Sequence, residues 1–154
     1  MKILIKLATK KDKSGLLRFF EHYKNNNIVN NRVECYLSHN HTIIASDNNK
    51  IIGIAQWSIK EDPKSGVAEI EEVFVLNEYR NQGIGRKLIE FTINSIKNNF
   101  NKISLNPRKI YLFVSKNNLA AITLYQSLGF QEISQLGNLF SDSETELFYC
   151  LDLK

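Results

Sequence analysis

The chain of 154 residues is poor in the residue types that mark small disulfide proteins, metal sites and membrane spans. It has two cysteines, two prolines, one tryptophan and one methionine. Cys35 and Cys150 lack metal-like spacing, so neither a disulfide framework nor a zinc site is expected, and both are read as free thiols. The three histidines, His22, His39 and His41, have no companion ligands, and no metal is expected. No apolar run approaches the roughly 20 residues of a bilayer-spanning helix. The apolar part of the opening segment, Met1 to Lys6, is too short for a secretion signal. The expectation is a cytoplasmic protein with no membrane partner. Lysine and arginine exceed the acids by 20 to 16. That surplus is spread along the chain, without a basic cluster interleaved with aromatics, which argues against a nucleic-acid partner.

What is present reads as one domain over residues 1–154. Alternation at Ile3, Ile5 and Leu7 predicts a first strand. Thr9 with Asp12 reads as a helix cap, and the helix it opens would carry Leu16, Leu17, Phe20 and Tyr23 on one face. A second, weaker helix is expected over Asn31 to Ser38. Thr42 to Ser46 and Lys50 to Ile59 are strand-like, joined by the tight-turn sequence Asp47-Asn48-Asn49. A loop containing Pro63 leads to a strand over Val67 to Val75. Gly83 to about Asn98 is the best helix, with Ile84, Leu88, Phe91 and Ile96 at helical spacing and Ile89 and Ile93 beside them. A polar loop with Pro107 precedes a strand at Lys109 to Val114. Asn118 to Leu128 is a helix stopped by Gly129. Two strands follow, around Gly137-Asn138 and Ser141-Asp142-Ser143. The order β-α-α-β-β-β-α-β-α-β-β points to a mixed α+β fold, largely antiparallel at its start.

Glu69 to Arg86, EIEEVFVLNEYRNQGIGR, carries the most information. A strand runs into a glycine-bearing turn that opens a helix. Free N–H groups at a helix start, with the helix dipole, favour an anion. Gly83 and Gly85 would let a phosphate approach the main chain, with Arg80 and Arg86 adding charge. The spacing Arg-x-x-Gly-x-Gly is neither the dinucleotide fingerprint nor the P-loop. From the glycines alone, a plain helix-entry turn reads equally well.

Two segments together resemble the GNAT superfamily of acetyl-CoA-dependent N-acetyltransferases. Val73-Phe74-Val75 followed by Arg80-Asn81-Gln82-Gly83-Ile84-Gly85 is similar to the family's motif A. Asn118-Leu119-Ala120-Ala121-Ile122-Thr123-Leu124-Tyr125-Gln126-Ser127-Leu128-Gly129-Phe130 is similar to its motif B. They lie in the family's order, and the opening strand and helix also fit. The resemblance implies the acyl-CoA N-acyltransferase fold, a central and mostly antiparallel sheet flanked by helices. It implies acetyl-CoA as cosubstrate and an amine as acceptor. Main-chain groups of Val73, Phe74 and Val75 would hold the acetyl carbonyl and pantetheine arm. Those from Asn81 through Gln82, Gly83, Ile84 and Gly85 to Arg86 would hold the pyrophosphate. Asn118 would contact the cofactor arm, and Tyr125 would sit near the thioester sulfur. The plainer readings are core positions for Val73 and Val75, a helix cap for Asn118, and a buried ring for Tyr125.

An alkyl ammonium with a pKa near ~10.4 must lose a proton before it attacks, so a base is needed. The strand offers Glu69, Glu71 and Glu72. Alternation puts Glu69 and Glu71 on one side with Val73 and Val75, and Glu72 on the other with Ile70 and Phe74. The family's polyamine acetyltransferases have an acid matching Glu71, and its histone-type members have one matching Glu69. Glu71 is therefore the first expectation and Glu69 the second, against a plain salt-bridging role. No cysteine or serine has the local signature of a nucleophile, so direct transfer through a tetrahedral intermediate is expected, with an N–H near Val75 as oxyanion donor. A non-catalytic acetyl-CoA-binding sensor or scaffold stays open, as do the identity of the amine and a homodimeric state.

Overall fold

The computed structural model describes residues 3–21, 25–38 and 41–153. In chain order the elements are β1 (Ile3–Leu7), α1 (Lys13–Phe19), α2 (Asn26–Ser38), β2 (His41–Asp47), β3 (Lys50–Ile59), β4 (Val67–Val75), α3 (Ile84–Lys102), β5 (Lys109–Ser115), α4 (Leu119–Ser127), β6 (Gln131–Gly137) and β7 (Thr145–Asp152). The hydrogen-bonded strand order is β1-β2-β3-β4-β5-β7-β6. Strand β4 runs parallel to β5, whereas the β1–β2, β2–β3, β5–β7 and β6–β7 pairs are antiparallel. This is the mixed, mostly antiparallel sheet with helices that the sequence predicts. The chain forms two compact units, one of residues 1–58 and 72–94, the other of residues 59–71 and 95–154.

In the first unit, Asn48 and Asn49 both take positive φ, 45° and 68°, and reverse the chain between β2 and β3. A two-residue turn with that handedness matches the twist of the strands it joins. Asp12 fixes the entry to α1: its carboxylate accepts from the Thr9 N–H at 2.9 Å, the Thr9 hydroxyl at 3.0 Å and Lys6 Nζ at 2.7 Å. Leu16, Phe19 and Phe20 from the α1 region join Val29, Val33 and Tyr36 of α2 and Ile44, Ile51 and Ile54 of the strands in one core. Phe19 meets Phe20 and Phe74 edge-on, with centroids at 5.0 and 5.7 Å. Each such side chain contributes about 1.5–3 kcal/mol by leaving water.

The second unit shows strand alternation directly. Ile110, Leu112 and Val114 of β5 and Leu147 and Tyr149 of β7 are buried. Lys109, Tyr111, Phe113 and Ser115 face the other way and stay half-exposed. The Tyr149 hydroxyl accepts from Gln126 Nε2 of α4 at 3.2 Å and lies 3.4 Å from a Glu132 oxygen of β6. Gly66, before β4, takes φ +68°, and a Cβ there would stand 2.8 Å from the Asn106 carbonyl oxygen.

Three expectations are corrected. Helix α2 begins at Asn26, five residues before the expected start, because the Asn25 side chain accepts from the N–H groups of Asn27 and Ile28 and caps it. Helix α3 continues to Lys102 because buried Phe100 adds an apolar anchor beyond Ile96, so much of the expected long loop is helix. Phe91 is 36% exposed and lies off the buried stripe of Ile84, Leu88, Ile89, Ile96 and Phe100. Tyr23, His22 and His39 lie outside the described residues.

Gly66→Ala should destabilise the protein by about 2 kcal/mol or more, since it adds a left-handed backbone penalty to a clash with main chain. Urea denaturation measures this, and a loss under 0.5 kcal/mol would contradict the tight packing of Gly66.

Candidate active site

The acids of β4 divide by face, as strand alternation requires. Glu69 and Glu71 share one cation: Lys60 Nζ lies 3.0 Å from Glu69 Oε2 and 2.9 Å from Glu71 Oε1. The Tyr111 hydroxyl donates to Glu69 Oε2 at 3.1 Å. Burial draws the Lys60 ammonium down, but its bonds to Glu71 and Glu69 outweigh that, so it stays charged at neutral pH. Burial, and then the Glu69 charge, push the Tyr111 phenol up to about 12. Glu72 points to different partners. Arg32 Nη2 grips its two oxygens at 2.8 and 2.7 Å, and the Tyr36 hydroxyl donates to it as well. Arg32 also lies over the Phe20 ring, 5.0 Å from its centroid. That carboxylate is a structural clamp holding α2 to β4.

After β4 the chain turns through Leu76 and a short 3₁₀ segment, Asn77–Tyr79, into α3. Asn81 and Gly83 take φ of 59° and 75°. The Gly83 carbonyl accepts the first helical bond, from Lys87 at 3.1 Å, which makes Gly83 the cap. A serine or aspartate at a cap would occupy the N–H groups of the first turn. Glycine places no side-chain acceptor on the N–H of Gly85, and a Cβ at Gly83 would meet nothing within 4 Å. An anion therefore fits beside this turn. Gly85 lies inside the helix, so its contribution is its N–H and its lack of a side chain. The Ile84 side chain is core, 1% exposed, and only its main chain faces the turn.

The neighbouring side chains brace the turn. Arg80 Nε donates to the Val75 carbonyl at 3.0 Å, and its guanidinium lies 5.6 Å from the Phe74 centroid. Gln82 donates to the Glu78 carbonyl at 3.1 Å. Arg86 pairs with Glu90 at 3.6 Å. Val73, Phe74 and Val75 are all half-buried. The N–H of Leu76 is spent on Ile52 O at 2.9 Å.

Helix α4 begins at its cap Asn118, whose side-chain oxygen accepts from the Ala121 N–H at 3.2 Å. The cap role is therefore present, and the amide NH₂ is the group left for a ligand. Tyr125 is 7% exposed and tilts against Phe130 at 5.9 Å. Among the described residues nothing hydrogen-bonds its hydroxyl, and burial pushes the phenol up to about 12. The thiol of Cys150 is also raised by burial, which disfavours a reactive thiolate. Among the described residues no cluster of three or more His, Cys, Asp or Glu could hold a metal ion, and no helix is long and apolar enough to cross a membrane.

The sequence reading missed Lys60, Tyr111 and Arg32. Period-two alternation in β5 puts Tyr111 on the face opposite the buried residues, which is a usable signal. Lys60 and Arg32 reach their partners only through the fold.

With this geometry in hand, comparison with known proteins settles the class. The model of the Acetyltransferase (GNAT) family matches residues 15–130, and the chain belongs to that family. An N-alpha-acetyltransferase of Saccharolobus solfataricus is 36% identical over 75 residues, 49% of this chain and 42% of that protein. A spermine/spermidine N(1)-acetyltransferase of Bacillus subtilis is 29% identical over 85 residues, 53% of each chain. The chain thus matches about half the length of these curated relatives. An N-acetyltransferase of Staphylococcus aureus Mu50 has the same fold, with TM-score 0.79 at 20% identity over the whole of both chains. The ribosomal-protein-S18-alanine N-acetyltransferase of Escherichia coli superposes with TM-score 0.77 at 20% identity, covering 99% of this chain and 95% of that one.

The raised Tyr125 phenol has a direct consequence. A phenol at about 12 stays protonated where an ordinary one near ~10 would ionise. An ultraviolet difference titration of wild type against Tyr125→Phe should show no phenolate step lost below pH 11. A lost step centred near 10 would show that the ring is solvated.

Proposed function

We propose that this chain transfers an acetyl group from acetyl-CoA to a primary amine, and that the acceptor is a cationic amine, either polyamine-like or carried by a protein. The observation that supports this most is the glycine-capped start of α3, an anion site open at Gly83 in a chain of this family. The N–H groups from Asn81 to Arg86 hold the pyrophosphate, with Arg80 shaping the turn from behind. Main-chain groups of Val73, Phe74 and Val75 hold the pantetheine arm and acetyl group. The Val75 N–H is the oxyanion donor, since that of Leu76 is already spent. The Asn118 amide supports the cofactor arm.

Glu71 takes the proton from the attacking ammonium, directly or through water, and Glu69 is its understudy on the same face. Lys60 stays charged and so cannot be the base. An incoming ammonium competes with Lys60 for the two carboxylates, which gives the site its preference for a cation. Tyr125 donates a hydrogen bond to the departing thiolate. No residue is acylated on the way.

Two experiments test this. Glu71→Gln should lower turnover at pH 7 by about 10²-fold while sparing acetyl-CoA affinity, with partial recovery at high pH, where more amine is neutral. Loss in Glu69→Gln alone would move the role two residues along β4, and acetyl-CoA binding without thiol release for any amine would leave a sensor. Gly83→Asp would place a carboxylate on the helix N–H groups and should weaken acetyl-CoA at least ~10-fold. An unchanged dissociation constant in calorimetry would remove the turn from the cofactor site.

A further inference from the structure

The face of β5 and β7 opposite the core carries an unusual set of side chains within the second unit. Tyr111, Phe113 and Phe148 lie together, with centroid separations of 5.5 Å (Tyr111–Phe148), 5.2 Å (Phe113–Phe148) and 6.0 Å (Tyr111–Phe113). Phe140, from the segment between β6 and β7, meets Phe113 edge-on at 5.9 Å, though the residue is 69% exposed. Glu69 joins one margin of this floor through Tyr111. Glu146 lies beyond the other margin. It pairs across the sheet with Ser115 and alternates with Phe148 along β7, which puts it on the same face.

Glu146 has no visible employment. It is only 6% exposed, yet among the described residues no cation and no hydrogen-bond donor reaches its carboxylate. Burial, then the nearby Glu144, raise its pKa above the usual carboxylate range. A largely covered carboxylate with no cation beside it would gain a charged hydrogen bond from an ammonium that a ligand supplies.

We propose that this face binds the acceptor as an extended polyamine. One ammonium sits at Glu69 and Glu71, the methylene chain and inner nitrogens lie across Tyr111, Phe113, Phe148 and Phe140, and Glu146 anchors the distal ammonium. The proposal rests on the acetyltransferase reading and narrows its acceptor. Aromatic faces attract alkylammonium groups and cover methylenes, so the floor suits both parts of such a chain. The spacing suits it too. Glu69 is level with Tyr111 and Tyr111 with Cys150, four positions from Glu146. With strands about 4.8 Å apart and about 3.3 Å per residue, the Cα of Glu146 is roughly 16 Å from that of Glu69. Side chains reaching inward leave a span that a long polyamine fills and a short diamine does not. A protein amine would place a neutral backbone over the rings and leave Glu146 unpaired.

The test compares spermine, 1,3-diaminopropane and n-butylamine as acceptors by thiol release, and measures spermine binding by calorimetry without acetyl-CoA. Spermine should have the highest kcat/KM. Glu146→Gln should raise its KM and its dissociation constant about tenfold or more, as expected for a lost charged hydrogen bond, with kcat and the butylamine constants unchanged. Glu146→Asp, which keeps the charge, should restore most of the affinity. Unchanged spermine binding in Glu146→Gln, or an equal loss for butylamine, would overturn the proposal, as would wild-type protein that does not bind spermine. If no amine is acetylated, the acetyltransferase reading fails, and the calorimetric comparison still decides the role of Glu146.

Discussion

The period of two along β4 assigns work to its carboxylates. Residues 69, 71 and 72 are all glutamate, and composition alone would make them equivalent. The strand turns the last one to the opposite face, where Arg32 and Tyr36 engage it fully. A half-buried pair held by several hydrogen bonds is costly to break and adds little to chemistry. The other two remain together on one ammonium, Lys60, which carries a single charge against their two. One face of β4 therefore holds α2 in place, and the other gathers two carboxylates around Lys60. A shift of one position in the strand would exchange these tasks.

Much of this was legible in the sequence because it is local. The order of elements, the Asn48-Asn49 turn, the Asn118 cap and the glycine turn before α3 all depend on neighbours within a few residues. Alternation also separated Glu72 from Glu69 and Glu71 before any partner was visible. What was not legible depends on distant partners or on a residue with two uses. Asn25 could be loop or cap, and only the helix it starts decides. Phe91 has helical spacing but faces outward, because a period of 3.6 fixes a stripe and not its edge. Lys60 finds its acids 9 and 11 positions away through a strand reversal, and Arg32 reaches Glu72 across 40.

The protonation pattern constrains the chemistry more tightly than the residue list does. Tyr125 is raised to about 12 by burial alone. A coenzyme A thiolate with a pKa near ~8.5 does not take a proton outright from such a phenol. In the proposed reaction, hydrogen-bond donation is what Tyr125 would offer, and a fair leaving group would need no more. The same burial makes a tyrosinate nucleophile inaccessible at neutral pH, and it disfavours a thiolate at Cys150. Among these groups nothing is prepared to hold the acetyl group covalently. Direct attack by the amine is then the route consistent with the groups present, and it places the demand on deprotonating the acceptor.

That demand explains why the acids should be shared with Lys60 rather than left bare. Two adjacent carboxylates without a cation would repel one another and favour protonation of one. Lys60 removes that cost in the absence of acceptor, and its flexible stem lets it yield when another ammonium arrives. In the proposed reaction the exchange would replace one cation with another, so the local charge would be conserved as the acceptor binds. A neutral amine would gain nothing from displacing Lys60. Glu146 differs in this respect, since no lysine or arginine covers it among the described residues. A cation arriving there would displace no protein cation, and its gain would be offset only by the hydration it sheds. Discrimination between long and short amines would therefore arise at the distal end, away from the bond that forms, where it can raise affinity without holding the reacting nitrogen in its charged, unreactive form.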